Sequence, residues 1–260
     1  MAADLYVAML KKCSLPGTEC DVIYPSDPGA AIPAEAALAD YNGIAWTGCS
    51  LCLNDNLPEV RSQVELTRAA FAAGVAGFGS CWAAQIAVVA AGGRVAENPH
   101  GREMGIARKI ELTPAGRAHP LYEGKPGVFD GFISHDDEIT HLPPGAICLS
   151  RNAWSNMQSV AVTHCGTPFW GLQYHPEYDL HEIARLTYCR IPKLMRYGFF
   201  RSEEAAHEYV DLLETLHADH TRKDIAWLLG IDADVMNEDV RLIEVRNWVN
   251  RCVLPRMHGS

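Results

Sequence analysis

The first half of the chain alternates between short apolar segments and longer segments with helical spacing of apolar residues. Each segment ends at Gly, Pro, Asn or Asp, which is typical of βα units around a parallel sheet. The apolar segments predict strands at Leu5 to Leu10, Cys20 to Tyr24, Gly43 to Thr47 and Val75 to Gly79. The helical spacing predicts helices at Pro33 to Asp40, Leu57 to Ala73 and Trp82 to Ala91.

The second half first becomes rich in strand patterns and then becomes helical. Its strands are predicted at Gly105 to Leu112, Gly127 to Ser134, Ile147 to Arg151, Val160 to His164 and Phe169 to Tyr174, with a hairpin turn at Cys165 to Pro168. Its helices are predicted at Glu182 to Tyr197, Ser202 to His217, Arg222 to Leu229 and Asn237 to Val249. These patterns predict an α/β three-layer sandwich with a mostly parallel central sheet, formed by residues 1–190, and a C-terminal helical extension, residues 191–260.

Composition and charge narrow the classes of function. Of the 260 residues, 48% are hydrophobic and 21% are charged, which excludes a largely disordered chain. The formal net charge of -10 argues against nucleic-acid or anionic-membrane binding and favours a small-molecule enzyme. No signal peptide or spanning segment is visible, so we expect a cytoplasmic protein. The nine cysteines are expected to be reduced, and most of them to be buried packing residues.

One cysteine has the setting of a nucleophile. Cys81 follows a predicted strand and precedes a predicted helix, in the segment Gly79-Ser80-Cys81-Trp82-Ala83-Ala84-Gln85. The helix N-terminus favours the thiolate, and the small residues allow the close approach that a tight strand-turn-helix junction needs. A buried structural cysteine would also explain this segment by itself.

A second segment supplies the base that a nucleophilic thiol requires. In Gln173-Tyr174-His175-Pro176-Glu177, His175 is a candidate acid/base and Glu177 a candidate for orienting its imidazole ring. The proline between them stiffens the turn. A nucleophile, a base and an orienting carboxylate together predict a Cys-His-Glu triad.

Together the two segments resemble the class I glutamine amidotransferases, most closely stand-alone proteins similar to the glutaminase domain of GMP synthetase. The family's elbow G-x-C-x-G-x-Q and base segment Q-x-H-P-E match this chain in order. Further similar segments are Asp40 to Gly48, Gly92 to Val95, Glu103 to Gly105 and Ser134 to Asp137. The resemblance covers roughly residues 40 to 185 and implies the family's flavodoxin-like fold for residues 1–190.

The resemblance also implies roles for individual residues. Cys81 would form a γ-glutamyl thioester, with His175 as acid/base and Glu177 as its orienting partner. The oxyanion hole would be formed by Gly48, Cys49 and Trp82. The glutamyl head group would be contacted by Gln85, Ser134 and His135. Two positions depart from the family pattern, since Ala83 and Cys49 stand where the family has glycine. A positive φ at Cys49 would be strained.

Two tryptophans flank the predicted centre and allow two interpretations. Trp46 precedes the oxyanion loop and Trp82 follows the nucleophile. Their rings either fill the core or wall a substrate pocket that accepts an apolar or aromatic leaving group. The second interpretation predicts a preference for γ-glutamyl arylamides or alkylamides over glutamine.

Other functions remain open from the sequence. Cys49-Ser50-Leu51-Cys52 has the spacing of half a zinc or redox site, but no second cysteine pair accompanies it, so we expect neither a metal nor a cofactor. The chain is expected to hydrolyse N-substituted γ-glutamyl amides or glutamine. Alternatively, it delivers ammonia to a separate synthetase or ligase partner, or it is a non-enzymatic binding subunit with a decayed site.

Overall fold

The computed structural model describes residues 2–55 and 57–258. Their strands are β1 (Ile44–Trp46), β2 (Gly77–Ser80), β3 (Arg94–Glu97), β4 (Glu103–Leu112), β5 (Val128–His135), β6 (Asp137–His141), β7 (Ala146–Arg151), β8 (Ser159–His164) and β9 (Thr167–Leu172). Their α-helices are α1 (Ala2–Cys13), α2 (Glu35–Leu38), α3 (Pro58–Ala72), α4 (Trp82–Ala90), α5 (Pro114–Ala118), α6 (Leu180–Cys189), α7 (Ile191–Arg196), α8 (Glu203–Ala218), α9 (Lys223–Leu229), α10 (Ala233–Met236), α11 (Glu238–Arg241), α12 (Ile243–Trp248) and α13 (Leu254–His258). Short 3-10 turns lie at Leu53–Asp55 and Pro120–Tyr122, and a π-helical turn lies at Val249–Val253.

A seven-stranded sheet has the order β1-β2-β9-β8-β7-β4-β5. β1, β2 and β9 pair in parallel, and the remaining neighbours pair antiparallel. The register places Gly79 between Trp46 and Gly171. The carboxyl ends of the three parallel strands therefore lie side by side, at the edge where α/β sheets usually bind ligands.

Alternate residues of β9 pack on opposite faces of this sheet, as strand geometry requires. Phe169 belongs to a core cluster with residues of α3 and α4. Trp170 and Leu172 belong to a second cluster, with residues of α1 and α12. The three-layer α/β arrangement is confirmed, and the sheet is mixed, with its parallel part confined to the strands nearest the predicted nucleophile.

The C-terminal helices are also confirmed, and they pack in two places. Residues of α6, α8 and α9 form a third core cluster around Phe132 of β5. Val245 and Trp248 of α12 instead pack with the sheet, so α12 completes one layer of the sandwich. None of the helices within the described ranges is long and apolar enough to cross a bilayer.

Two predicted strands are wrong. Leu5 to Leu10 lies within helix α1, where Tyr6 and Met9, three residues apart, face the core together. A short apolar run does not distinguish a strand from a buried helix by itself. Cys20 to Tyr24 has no regular structure, and its Val22, Ile23 and Tyr24 side chains are exposed.

The helix predicted at Glu182 to Tyr197 is two helices, α6 and α7, separated at Arg190. Pro192 lies in the first turn of α7 and explains the break, because proline removes a helical N–H and clashes with the preceding turn. The long helix predicted at Asn237 to Val249 is likewise divided, at Leu242.

The prediction that most cysteines are buried is wrong, although all nine are free. Cys81 is buried, while the other eight are half-buried or exposed. The Cys81 thiol is therefore set apart from the others by its burial.

Replacement of Trp248 tests whether α12 is an integral layer. Trp248 is 3% exposed and packs against Phe78, with ring centroids 5.4 Å apart. Trp248→Ala should lower the free energy of unfolding by about 3–5 kcal/mol, because it leaves a cavity between helix and sheet. Trp227→Ala on α9 is the control, since Trp227 is 84% exposed and should change it by less than about 0.5 kcal/mol. If urea titration showed equally small changes in the free energy of unfolding for Trp248→Ala and Trp227→Ala, α12 would not be an integral layer.

Candidate active site

Cys81 occupies a tight junction between β2 and α4. Its backbone has φ 53° and ψ -103°, a conformation that L-residues rarely adopt. The Cys81 N–H donates to the Leu172 carbonyl at 2.6 Å, which fixes the turn to the end of β9. A Cβ on Gly79 would lie 2.4 Å from both Ala83 Cβ and the Trp46 carbonyl oxygen. The absence of a side chain at Gly79 thus makes room for the methyl group of Ala83, which stands at the position where the family has glycine.

His175 and Glu177 lie just after β9, beside this junction. The His175 Nδ1–H donates to Glu177 Oε1 at 2.7 Å, and both side chains are 2% exposed. Tyr178 stacks on the imidazole, with centroids 4.0 Å apart and planes 3° apart. Among the described residues, the buried Nε2 atom of His175 has no hydrogen-bond partner. A hydrogen bond at Nδ1 and the stacked Tyr178 therefore hold the ring, and Nε2 remains for proton exchange with a thiol or a substrate.

Electrostatics favour the charged form of this histidine. Burial lowers the pKa of His175, but the charge of Glu177 and interactions with the Cys81 sulfur outweigh burial and raise that pKa to about 10. The imidazolium form of His175 is thus favoured at neutral pH, beside the Cys81 sulfur. The geometry brings together the three residues of the predicted triad.

Two residues to which the sequence motifs assign no role are linked to the predicted triad by hydrogen bonds. Ser80 Oγ donates to Glu177 Oε1 at 3.0 Å, and Tyr6 of α1 hydrogen-bonds to Ser80 Oγ. Since the only hydroxyl proton of Ser80 is directed at Glu177, Tyr6 must be the donor to Ser80. Burial raises the pKa of Tyr6 well above its ordinary value, so its hydroxyl stays protonated. The carboxylate is consequently anchored through Ser80 to the N-terminal helix.

The predicted oxyanion loop lies against the triad. A Cβ on Gly48 would be 2.9 Å from His175 Cε1 and 3.9 Å from Cys81 Cβ, so only glycine fits there. Cys49 is not among the described non-glycine residues with positive φ, and the strain considered for this position does not arise. Trp82 is the first residue of α4, where backbone N–H groups lack helical acceptors.

The structure favours the core interpretation of the two tryptophans over a pocket wall. Trp46 and Trp82 are 6% and 1% exposed, and both rings belong to the core cluster with α3 and α4. Trp46 packs against Phe169, and the indole N–H of Trp82 donates to Gln63 Oε1 at 2.7 Å. The side chains of a strand end and a helix start can point away from the turn between them, so a position next to the nucleophile in sequence does not place a ring in the site.

The predicted head-group residues have different surroundings. Gln85 Nε2 donates to the Asp137 carbonyl at 2.9 Å and to Gln173 Oε1 at 3.2 Å. Both ring nitrogens of buried His135 are engaged, with the Asp137 carbonyl at 2.8 Å and Glu103 Oε2 at 3.0 Å. The Ser134 carbonyl oxygen, in contrast, lies 3.6 Å from the Cys81 sulfur. Of the three, Ser134 directly borders the nucleophile.

The half zinc or redox motif is not assembled into a metal cluster. Cys52 Sγ donates to Asp137 Oδ2 at 3.1 Å, and Cys49 Sγ accepts from the Leu51 N–H at 3.5 Å. Within the described parts of the chain, no three His, Cys, Asp or Glu side chains are grouped as metal ligands.

Comparison with known proteins agrees with the geometry. Residues 52–186 match the family described as glutamine amidotransferase class-I. The chain is 32% identical over 241 residues to a γ-glutamyl-L-1-hydroxyisopropylamide hydrolase from a Pseudomonas species, covering 90% of this chain and 80% of that protein. The chain belongs to the class-I glutamine amidotransferase family, and the resemblance identified from the motifs is confirmed.

Other relatives are similar over shorter lengths or in fold alone. A GMP synthase from Thermomicrobium roseum is 37% identical over 99 residues, which is 38% of this chain but only 17% of that enzyme. Solved glutamine amidotransferases from Thermotoga maritima (TM-score 0.57, 16% identity, covering 83% of this chain and 78% of that one) and Methylobacillus flagellatus (TM-score 0.55, 23% identity, covering 87% and 80%) share the fold.

Replacing Glu177 tests the electrostatic assignment of His175. Because the Glu177 charge raises the pKa of His175, Glu177→Gln should lower that pKa from about 10. His175 of the variant should therefore lose its proton at a lower pH than His175 of the wild type. NMR titration of the His175 ring measures this directly, with Glu214→Gln beside exposed His181 as the control. An unchanged His175 pKa would contradict the assignment.

Ser80→Ala tests the anchoring of Glu177. We expect iodoacetamide to alkylate Cys81 about tenfold more slowly at neutral pH, since a hydrogen bond to a charged group contributes about 1.5 kcal/mol or more. The matched control is Tyr122→Phe, which removes a buried hydroxyl bonded to Ser159 and Tyr174. Equal rates in wild type and Ser80→Ala would show that Ser80 does not position the triad.

Proposed function

We propose that the protein is a cysteine-dependent hydrolase of γ-glutamyl amide bonds, acting on N-substituted γ-glutamyl amides and releasing glutamate and an amine. The observation that carries the proposal is the Cys81, His175 and Glu177 arrangement, in which a strained turn presents the sulfur beside a buried imidazolium. Class-I family membership supports an amide-cleaving enzyme.

In the first half-reaction, the Cys81 thiolate attacks the γ-carbonyl carbon and the carbonyl oxygen becomes an oxyanion. Backbone N–H groups of the loop at Gly48 and Cys49, with that of Trp82, stabilise this oxyanion, an interaction of about 2.7–4 kcal/mol per donor in other enzymes. The His175 imidazolium gives its Nε2 proton to the leaving nitrogen. The C–N bond breaks, the amine departs and a γ-glutamyl thioester remains on Cys81.

In the second half-reaction, neutral His175 takes a proton from water and the resulting hydroxide attacks the thioester carbon. The C–S bond then breaks, which restores the thiolate and the imidazolium and releases glutamate. Glu177 stays ionised throughout and orients the imidazole, while Ser80 and Tyr6 hold that carboxylate. No cofactor or metal is needed in this sequence of steps.

Full-length similarity favours a substituted amide as substrate. The relative matched over 90% of this chain is named for a γ-glutamyl-L-1-hydroxyisopropylamide. A second candidate function is ammonia delivery from glutamine to a separate synthetase, favoured by the partial match to GMP synthase. Because the tryptophans lie in the core, they give no reason to expect an arylamide, and we propose a small aliphatic amine as the leaving group.

Steady-state kinetics test this proposal. We expect kcat/KM at least tenfold higher for γ-glutamyl-L-1-hydroxyisopropylamide than for glutamine, since burying a side group of this size contributes about 1.5 kcal/mol or more. Cys81→Ala should abolish turnover of both substrates without unfolding the protein, because the thiolate is the nucleophile. Cys189→Ala, at an exposed thiol, is the control and should retain full activity.

Two outcomes would overturn the proposal. Near-normal turnover by Cys81→Ala would exclude the thiol mechanism. A preference for glutamine, increased by an added synthetase, would favour ammonia delivery instead.

A further inference from the structure

A cluster of charged side chains lies beside Ser134. This cationic cluster consists of Arg102, Arg190, Lys193 and Asp136. Arg102 donates to Asp136 Oδ2 at 2.5 Å and to Ser134 Oγ at 2.7 Å. Arg190 donates to the same Ser134 oxygen at 3.0 Å, and Lys193 donates to Asp136 Oδ2 at 3.0 Å. One serine hydroxyl is thus flanked by two guanidinium groups.

The charges in this cationic cluster do not balance. Arg102 and Lys193 share the single carboxylate of Asp136, whereas Arg190 forms no salt bridge among the described residues. Arg102 is 7% exposed, and its Nε atom is buried with no hydrogen-bond partner among the described residues. Burial and the positive charge of Arg102 both lower the pKa of Arg190. Partly buried positive charge without a partner is costly, and an anion bound beside it would offset that cost.

Ser134 connects the cationic cluster to the nucleophile. The Ser134 carbonyl oxygen is 3.6 Å from the Cys81 sulfur, while the hydroxyl of the same residue accepts from both guanidiniums. In a γ-glutamyl group, three carbon atoms separate the carbonyl that the thiolate attacks from the α-carboxylate. A substrate carbonyl at Cys81 can therefore extend its carboxylate toward these arginines.

We infer that Arg190, supported by Arg102, binds the α-carboxylate of the γ-glutamyl group and selects substrates that carry it. Arg190 makes the direct contact, because it is half-buried, whereas Arg102 is almost fully buried and committed to Asp136 and Ser134. Planar guanidinium groups are well suited to carboxylates. Arg190 lies between α6 and α7, beyond the residues that match the family, so this contact comes from outside the matched segment. The inference rests on the proposed function.

Three amide substrates with the same amine leaving group test the contributions of the α-carboxylate and the α-amino group separately. The γ-glutamyl amide has both the carboxylate and the amino group, the glutaryl amide has only the carboxylate, and the 4-aminobutyryl amide has only the amino group. Arg190→Gln should lower kcat/KM about 10- to 100-fold for the first two, the size of a charge-assisted hydrogen-bond loss. It should leave the 4-aminobutyryl amide unchanged, and Arg190→Lys should recover part of the loss. Arg185→Gln, at an exposed arginine of α6, is the control and should behave as wild type.

Binding of the product gives an independent readout. Calorimetry should show that L-glutamate binds the wild type and Arg185→Gln with the same affinity. Its affinity for Arg190→Gln should be at least tenfold lower. The affinity for 4-aminobutyrate should be the same for all three proteins. An equal loss for all three amides, or glutamate binding indifferent to Arg190, would overturn the inference. If no amide is hydrolysed but glutamate binding still depends on Arg190, the proposed function fails and the carboxylate site stands.

Discussion

The positive φ of Cys81 is the constraint on which the rest of the site depends. A non-glycine residue in such a conformation costs about 1–3 kcal/mol, and it persists only where the surrounding structure fixes it. Here the Cys81 N–H is bonded to Leu172, and glycines at 79 and 171 let the strands approach α4 closely. A Cβ on Gly171 would lie 2.7 Å from Ala84 Cα. The packing of three parallel strands against one helix is what directs the sulfur out of the turn.

The second organising feature is a set of buried charges arranged around that turn. Glu177 and His175 form one pair, and the cationic cluster contacts Ser134, whose carbonyl oxygen lies 3.6 Å from the sulfur. Isolated buried charges are costly, so each is held by hydrogen bonds or by an opposite charge. The exception is the surplus positive charge at Arg190, where a substrate carboxylate would complete the balance.

The sequence points to Cys81, His175 and Glu177, which the structure brings together, because each lies in a contiguous motif at a strand end. Cys81 and His175 each follow a parallel strand, and neighbouring parallel strands bring their ends together. Ser80, Tyr6 and Arg190 could not be found in this way, since their roles come from contacts between residues far apart in the chain. Tyr6 also lies in a segment predicted as a strand, and only the helical spacing of Tyr6 and Met9 could have indicated otherwise. Trp46 and Trp82 show the opposite limit, because position in sequence does not give the direction of a side chain.

The most direct measurement is of the covalent intermediate. Enzyme mixed with γ-glutamyl-L-1-hydroxyisopropylamide, quenched in acid within the first turnover and digested, can be mapped by mass spectrometry. The account predicts a γ-glutamyl thioester on the peptide that carries Cys81 and on no other cysteine peptide. The adduct should also be absent from Cys81→Ala. Substrate turnover without any adduct at Cys81, or an adduct at another cysteine, would contradict the account.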